Sequence, residues 1–383
     1  MKKRNQSRRG SKRTEKKKDP LPYLSHELIV QILERLPVKS LIRFKCVCKS
    51  WFSLISDPYF ANSHFQITAA THTRRILCIG HLPHSIDLAA SLDDYSTSAS
   101  LNVDFLHPQN HSDFEIKGSC RGFVLLNYYS ILYLWNPSTG FHRKVPLSPI
   151  GLKLDAEYFY SFGYDQLKDD YLVVLMSYDP ALDNIYSCLE FFSLRDNVWK
   201  EMDCPYCPYR SNFDEMPKAG CLYNGAIHWL AFHRDFPWRD NFIVAFDLNE
   251  RKLFEMPPPD DFEHDAGDCG LWVFGEFFSL WSTDYPNDSF EIWVMKEYKV
   301  NSSWTKILVL NIDDDPTLYF YPLCRTKSGD IIGINVGVEL VKYDDNGQLL
   351  ERSPHWESLW GVRSQVAMYT ESLLSLPGDN EQA

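Results

Sequence analysis

The sequence predicts an α+β chain that is mainly β, with a three-helix module near the N-terminus and a β-propeller-like domain of repeated antiparallel blades after it. Three observations predict this class. Helical periodicity is confined to Leu24–Phe60. From His64 onward, short apolar runs alternate with polar turns, the texture of strands. Five segments of that region share one plan and recur at intervals of 58, 55, 50 and 45 residues, close to the period of propeller blades.

Residues 1–19 hold no apolar side chain after Met1. A segment of that composition cannot bury enough surface to offset the entropy of ordering, so disorder is expected. Its basic clusters, Lys2-Lys3-Arg4 and Lys12 to Lys18, fit a solvated charge run and fit a nuclear import signal equally well. The expected location is therefore cytoplasmic, nuclear or both.

In the helical stretch, Leu28, Ile29, Ile32, Leu33 and Leu36 follow the spacing of one helix face. Ser25 is a plausible N-cap, since its hydroxyl can accept a free amide of the first turn. Pro37 is expected to stop this helix. A second pattern (Leu41, Phe44, Cys48) and a third (Trp51, Leu54, Ile55) follow, and Pro58 should close the unit. Three short helices in roughly 40 residues cannot bury so much apolar surface among themselves. The excess must pack on the rest of the chain or on another protein.

The five repeated segments are LYLWNPSTGFHRKVPL, LEFFSLRDNVWKEM, IVAFDLNERKLFEMP, EIWVMKEYKVNSSWTKILVL and VELVKYDDNGQLLERSP. Each reads as strand, polar turn, strand, with Phe141, Trp199, Phe254, Trp304 or Leu349 first after the turn. Asn224-Gly225 and Asn346-Gly347 add hairpin signals, and Asp169–Asp179 reads as a buried strand. Exposed blade faces require closure into one body, with YTESLLSLPG (Tyr369 to Gly378) returning to a first blade begun near Phe65 and Ile76.

The chain has 383 residues with 44% hydrophobic and 15% aromatic side chains, enough for a large core. No apolar run reaches the roughly 20 residues of a membrane helix, and the charged N-terminus lacks a signal-like apolar segment. Ten of the 39 basic residues lie within residues 2–18. The main body is therefore strongly acidic, which disfavours nucleic-acid binding. Ten cysteines without a secretory signal are expected as thiols.

Catalytic and metal motifs are missing. There is no phosphate-cradling G-x-x-x-x-G-K-[ST], no G-x-S-x-G elbow and no H-E-x-x-H. Cys204 and Cys207 form one C-x-x-C without a second pair, in a segment read as a loop. Cys46 and Cys48 lie two apart on a helix and do not share a face. His228 and His233 lie five apart on a strand and point to opposite faces, which leaves His228 as a core or interface residue. His72, His81 and His84 lack partners at ligand spacing. Gly118-Ser119-Cys120-Arg121-Gly122 imitates a cysteine-protease signature with His72 upstream, but its surroundings read as paired strands. No catalytic residue, metal or cofactor is expected.

LERLPVKSLIRFKCVCKSW (Leu33 to Trp51) with the following LISDPYF resembles an F-box. FGYD (Phe162 to Asp165), LYNGAIHWL (Leu222 to Leu230), FDLNERKLFEMPPP (Phe246 to Pro259) and EIWVMKEYKVNSSWTKI (Glu291 to Ile307) resemble the F-box-associated, kelch-like domain of plant F-box proteins. The resemblance spans residues 20 to 374. It implies a disordered tail at 1–19, an F-box at 20–62, a propeller domain at 63–374 and a flexible C-terminus at 375–383.

It further implies a non-catalytic substrate-recognition subunit of an SCF (Skp–cullin–F-box) ubiquitin ligase. The F-box would bind the Skp adaptor, and through it a cullin, while the β domain presents an unknown target protein. The adaptor contact carries over to Leu24, Leu28, Ile32, Leu33, Leu36, Pro37, Val47, Cys48 and Trp51. The family has a proline where this chain has Ser25. Loop aromatics Tyr206, Tyr209, Phe236 and Trp238 are the target-binding candidates, since loops on rigid scaffolds carry function and such side chains dominate interfaces. The alternative readings are a glycan- or small-ligand-binding module and a propeller enzyme.

Overall fold

The computed structural model shows a helical unit seated on a six-bladed propeller. It describes residues 24–377 except 69–73, 80–82, 89–90, 93–97, 102, 104, 106–113, 129–130, 149–155, 180–185, 210–218, 236–241, 263–267, 285–288, 312–319, 336–338 and 354–364. The basic tail, the extreme C-terminus, His72, His81, Phe236 and Trp238 lie outside the described residues.

The helical unit has four helices, one more than expected: α1 (His26–Leu33), α2 (Val38–Phe44), α3 (Lys49–Ile55) and α4 (Pro58–Ile67). Ser25 caps α1 by accepting the Leu28 amide at 3.4 Å. α1 ends at Leu33, ahead of Pro37, and Pro37 instead stands at the N-cap of α2. Pro58 does not close the unit. It opens α4 from the first helical turn, where a missing N–H costs nothing. Asp57 caps that helix by accepting the amides of Tyr59 and Phe60 at 2.7 and 3.1 Å. α4 therefore crosses the expected boundary at residue 62, and Phe65 belongs to it rather than to a blade. Cys46 and Cys48 sit in the connection after α2, not on a helix.

Each sheet is one blade. Blade 1 holds β1 (Arg74–Ile79), β2 (His84–Asp87) and β3 (Ala99–Ser100). Blade 2 is β4 (Phe114–Cys120), β5 (Phe123–Tyr128), β6 (Ile131–Trp135) and β7 (His142–Val145). Blade 3 is β8 (Glu157–Asp165), β9 (Asp170–Asp179), β10 (Tyr186–Ser193) and β11 (Val198–Asp203). In blade 4 the first strand is split into β12 (Tyr206–Pro208) and β13 (Cys221–Tyr223). Both pair with β14 (Ala226–His233), and β15 (Phe242–Asp247) and β16 (Lys252–Met256) follow. Blade 5 is β17 (Cys269–Phe274), β18 (Phe277–Asp284), β19 (Ser289–Met295) and β20 (Trp304–Asn311). Blade 6 is β21 (Tyr321–Arg325), β22 (Ile331–Ile334), β23 (Leu340–Tyr343) and β24 (Leu349–Arg352). β25 (Gln365–Thr370) then returns to pair antiparallel with β1 and completes blade 1. The closing strand is QVAMYT, upstream of most of the segment expected to close the ring.

The five repeated segments are the third and fourth strands of blades 2 to 6. Four of their turns share one device. Asn136, Asp247 and Asp344 accept backbone amides two to four residues on, and Ser193 accepts the Asp196 amide. Such side-chain caps imitate a backbone turn. A left-handed residue ends each turn: Gly140, Asn197, Arg251, Lys299 and Gly347. Asn224-Gly225 is left-handed at both positions, as a tight hairpin requires. At Asn346-Gly347 only the glycine is left-handed.

Six apolar clusters fill the six seams between neighbouring blades. The cluster between blades 2 and 3 is the largest in reach, because Leu33, Leu41, Ile55 and Phe60 of the helices and Leu373, Leu374 and Leu376 of the chain end share it with Phe123, Leu134 and Phe162. The stretch after β25, expected to be flexible from residue 375, is packed through Leu376. Arg143 also donates to the Pro377 carbonyl at 2.9 Å. No helix among the described residues is long and apolar enough to cross a membrane.

Candidate partner-binding surface

The helical unit divides its apolar residues between two directions. Leu33 is 1% exposed, whereas Leu28 is 47%, Ile32 50% and Val47 59% exposed. Leu28 and Ile32 are four apart on α1 and share one face, with Leu24 equally open just before the helix. Pro37 and Cys48 are exposed as well. Of the nine expected contact residues, these six remain available to a partner. Leu33 is part of the core, and Leu36 and Trp51 pack against it. Phe44 and Trp51 meet at 56° with ring centroids 5.5 Å apart, which turns the half-buried Trp51 indole towards the unit. Phe52, 56% exposed on α3, was not anticipated. It lies beside Trp51 in sequence, and only burial separates the two.

The opposite side of the helices is tied to the propeller. Arg121 sits left-handed in the turn between β4 and β5. Its guanidinium donates to Asn62 Oδ1 at 3.0 Å and lies over the rings of Phe65 and Tyr164, 4.9 and 4.1 Å from their centroids. It thereby clamps α4 to blades 2 and 3. Gly122, next in the turn, admits no side chain, because a Cβ would meet Ser372 Oγ at 2.1 Å. His64 is buried, and one ring nitrogen lies 2.8 Å from the Leu36 carbonyl, holding the α1–α2 connection against α4.

The turns between first and second strands and between third and fourth strands emerge on the side the helices cover. The second-to-third strand ends of each blade face the other. Tyr206 and Tyr209 lie at that far side. Both are half-buried: the Tyr206 hydroxyl donates to Glu255 at 2.6 Å, and Tyr209 packs on Phe232. The C-x-x-C straddles a connection and a strand, with Cys204 between β11 and β12. Cys207 lies in β12, both thiols are fully packed, and burial pushes each up to about 12. Cys120, the protease look-alike, is likewise pushed up to about 12 by burial, which disfavours its thiolate at neutral pH. Among the described residues no three His, Cys, Asp or Glu side chains gather as a metal site.

His228 is fully buried, with Nδ1 3.1 Å from the Cys221 carbonyl and Nε2 2.7 Å from the Tyr298 hydroxyl. Burial lowers its pKa from 6.5 to about 4, and Lys299 nearby acts in the same direction. The unfolded chain therefore takes up a proton below 6.5 that the folded chain refuses until about 4. Stability from this group is complete above pH 6.5 and is lost as pH falls through that window, by about 3 kcal/mol in all. Melting curves from pH 7 to 4 should show this fall, and a His228→Gln variant should flatten it. An unchanged slope in that variant contradicts the assignment.

A family model described as the F-box domain matches residues 21–62, and one described as the F-box associated beta propeller domain matches residues 80–332. An F-box/kelch-repeat protein of Arabidopsis thaliana is 28% identical, over 74% of this chain and 78% of its own length. The Arabidopsis F-box protein CPR1 is 30% identical, over 79% of this chain and 76% of its own length.

Proposed function

For a chain that belongs to the F-box proteins with an F-box associated β-propeller domain, we propose the role of substrate-recognition subunit in an SCF ubiquitin ligase. The observation that carries this reading is the open set of Leu24, Leu28 and Ile32, with Val47, on a helical unit whose other side is locked to the propeller. Adjoining exposed apolar side chains of this kind mark protein–protein contacts. In this reading the partner is the Skp adaptor, which brings a cullin, and the protein makes and breaks no bond itself. It raises the effective concentration of a target near the ubiquitin-charged enzyme. The Arg121 clamp supports it, since a rigid joint fixes the distance between the adaptor and the target. In this reading Tyr206 and Tyr209, on the far side of the ring, belong to the target surface, and Phe236 and Trp238, outside the described residues, are the further candidates.

The test mixes the purified full chain with a purified Skp adaptor and follows co-elution by size exclusion. A one-to-one complex at micromolar concentration is expected. Separate elution at tens of micromolar would sink the adaptor reading. Deleting residues 20–62 is a poor control, because the cut falls inside α4 and strips helices from the blade 2 core. Point changes at the exposed positions avoid that.

A further inference from the structure

Three turns that are distant in sequence meet at the seam of blades 3 and 4, on the side of the ring that the helices cover. They are the β8–β9, β10–β11 and β15–β16 turns, and they enclose a cavity of about 190 Å³. At roughly 30 Å³ per water, it holds about six waters. Lys168, Arg195, Lys200 and Arg251 line it, against two acids, Asp170 and Asp196. Both acids are engaged. Asp170 accepts from the Ser193 hydroxyl at 2.6 Å and the Arg195 amide at 2.9 Å, and Asp196 pairs with Lys200 at 3.0 Å. Outside the lining, Asp165 pairs with Arg251 Nη2 at 2.8 Å, and Asp169 pairs with Arg195 at 2.9 Å.

Donor capacity remains. Arg251 Nη1 is buried and has no hydrogen-bond partner. A buried guanidinium N–H without an acceptor is costly, and a bound water or anion is one way to satisfy it. Arg251 also sits left-handed, at φ 60°, as Gly140, Asn197 and Lys299 do in the matching turns of blades 2, 3 and 5. A carboxylate offers two oxygens in one plane. Cations arriving from three turns suit a group with acceptor oxygens in several directions and more than one negative charge.

We propose that this cavity binds a phosphate group, free or as a phosphomonoester on a peptide. The proposal stands on this geometry and holds whether or not the helices bind an adaptor.

The test titrates the full chain, followed by isothermal calorimetry and ³¹P NMR. One arm uses inorganic phosphate and the other an acetyl-Ala-phosphoserine-Ala amide peptide, both at fixed ionic strength. Lys168→Ala/Lys200→Ala is the informative variant, because both side chains are exposed and the fold does not rest on them. Saturable binding is expected in at least one arm. The double variant should weaken it at least about tenfold, the worth of two charge-assisted contacts, with an unchanged melting temperature. Tighter binding of inorganic phosphate makes the free anion the ligand, and tighter binding of the peptide makes it the ester. No saturation in either arm, or equal affinity in the double variant, overturns the proposal.

Discussion

A Leu28→Asp/Ile32→Asp double variant should lose the Skp adaptor altogether while keeping the melting temperature of the intact chain within a few degrees. Both side chains are about half exposed on α1, so a carboxylate at either position stays solvated in the free protein. In the complex both would be driven into an apolar contact. Truncating one central anchor costs about 2 to 4 kcal/mol, and an unpaired buried charge costs more. Two such changes should lower affinity more than about a thousandfold, which removes co-elution at micromolar concentration. The pairing of readouts matters. A Leu33→Asp change would also abolish binding, but by unfolding the unit, because Leu33 lies in the shared core. The same holds for Leu36, half-buried against that core. Full binding by a folded Leu28→Asp/Ile32→Asp protein would exclude α1 as the contact.

That distinction was not legible in the sequence. Leu28, Ile29, Ile32, Leu33 and Leu36 share one helical period, and periodicity alone cannot say which edge of a broad apolar face meets the core. The shared core makes that choice: Leu33 joins a cluster that also holds Phe123 and Leu134, about a hundred residues away. The repeats were legible for the opposite reason. Four of the five repeated turns are closed by their own Asn, Asp or Ser within a few residues, so their chemistry survives in a short window. The first strands of the blades carry no such local mark, and the split of blade 4 into β12 and β13 was invisible. Pro58 was misread because a proline stops one helix and starts another with the same ring. The pocket at the blade 3–4 seam joins turns that are far apart in sequence.

The second large effect concerns closure. A chain ending at residue 364 should fail to form a cooperative propeller, giving a broad, probe-dependent thermal transition and weak near-ultraviolet dichroism. β1 would lose six paired positions from Arg74↔Thr370 to Ile79↔Gln365. Three seams would open with it. Val366 fills the cluster between blades 6 and 1, and Tyr369 the one between blades 1 and 2. Leu373, Leu374 and Leu376 fill the core that the helices share. Loss of a single large buried side chain costs about 2 to 5 kcal/mol, and a whole domain has only about 5 to 15 to lose. The loss is also not confined to one blade. An open ring exposes β1 as an unpaired edge, which invites pairing with another chain. A synthetic peptide of residues 365–377, added in trans, should restore a sharp transition, because the strand pairs through its backbone and needs no covalent link. A truncated chain that melts cooperatively within about 5 °C of the intact one would show that the ring is not held shut by its C-terminal strand.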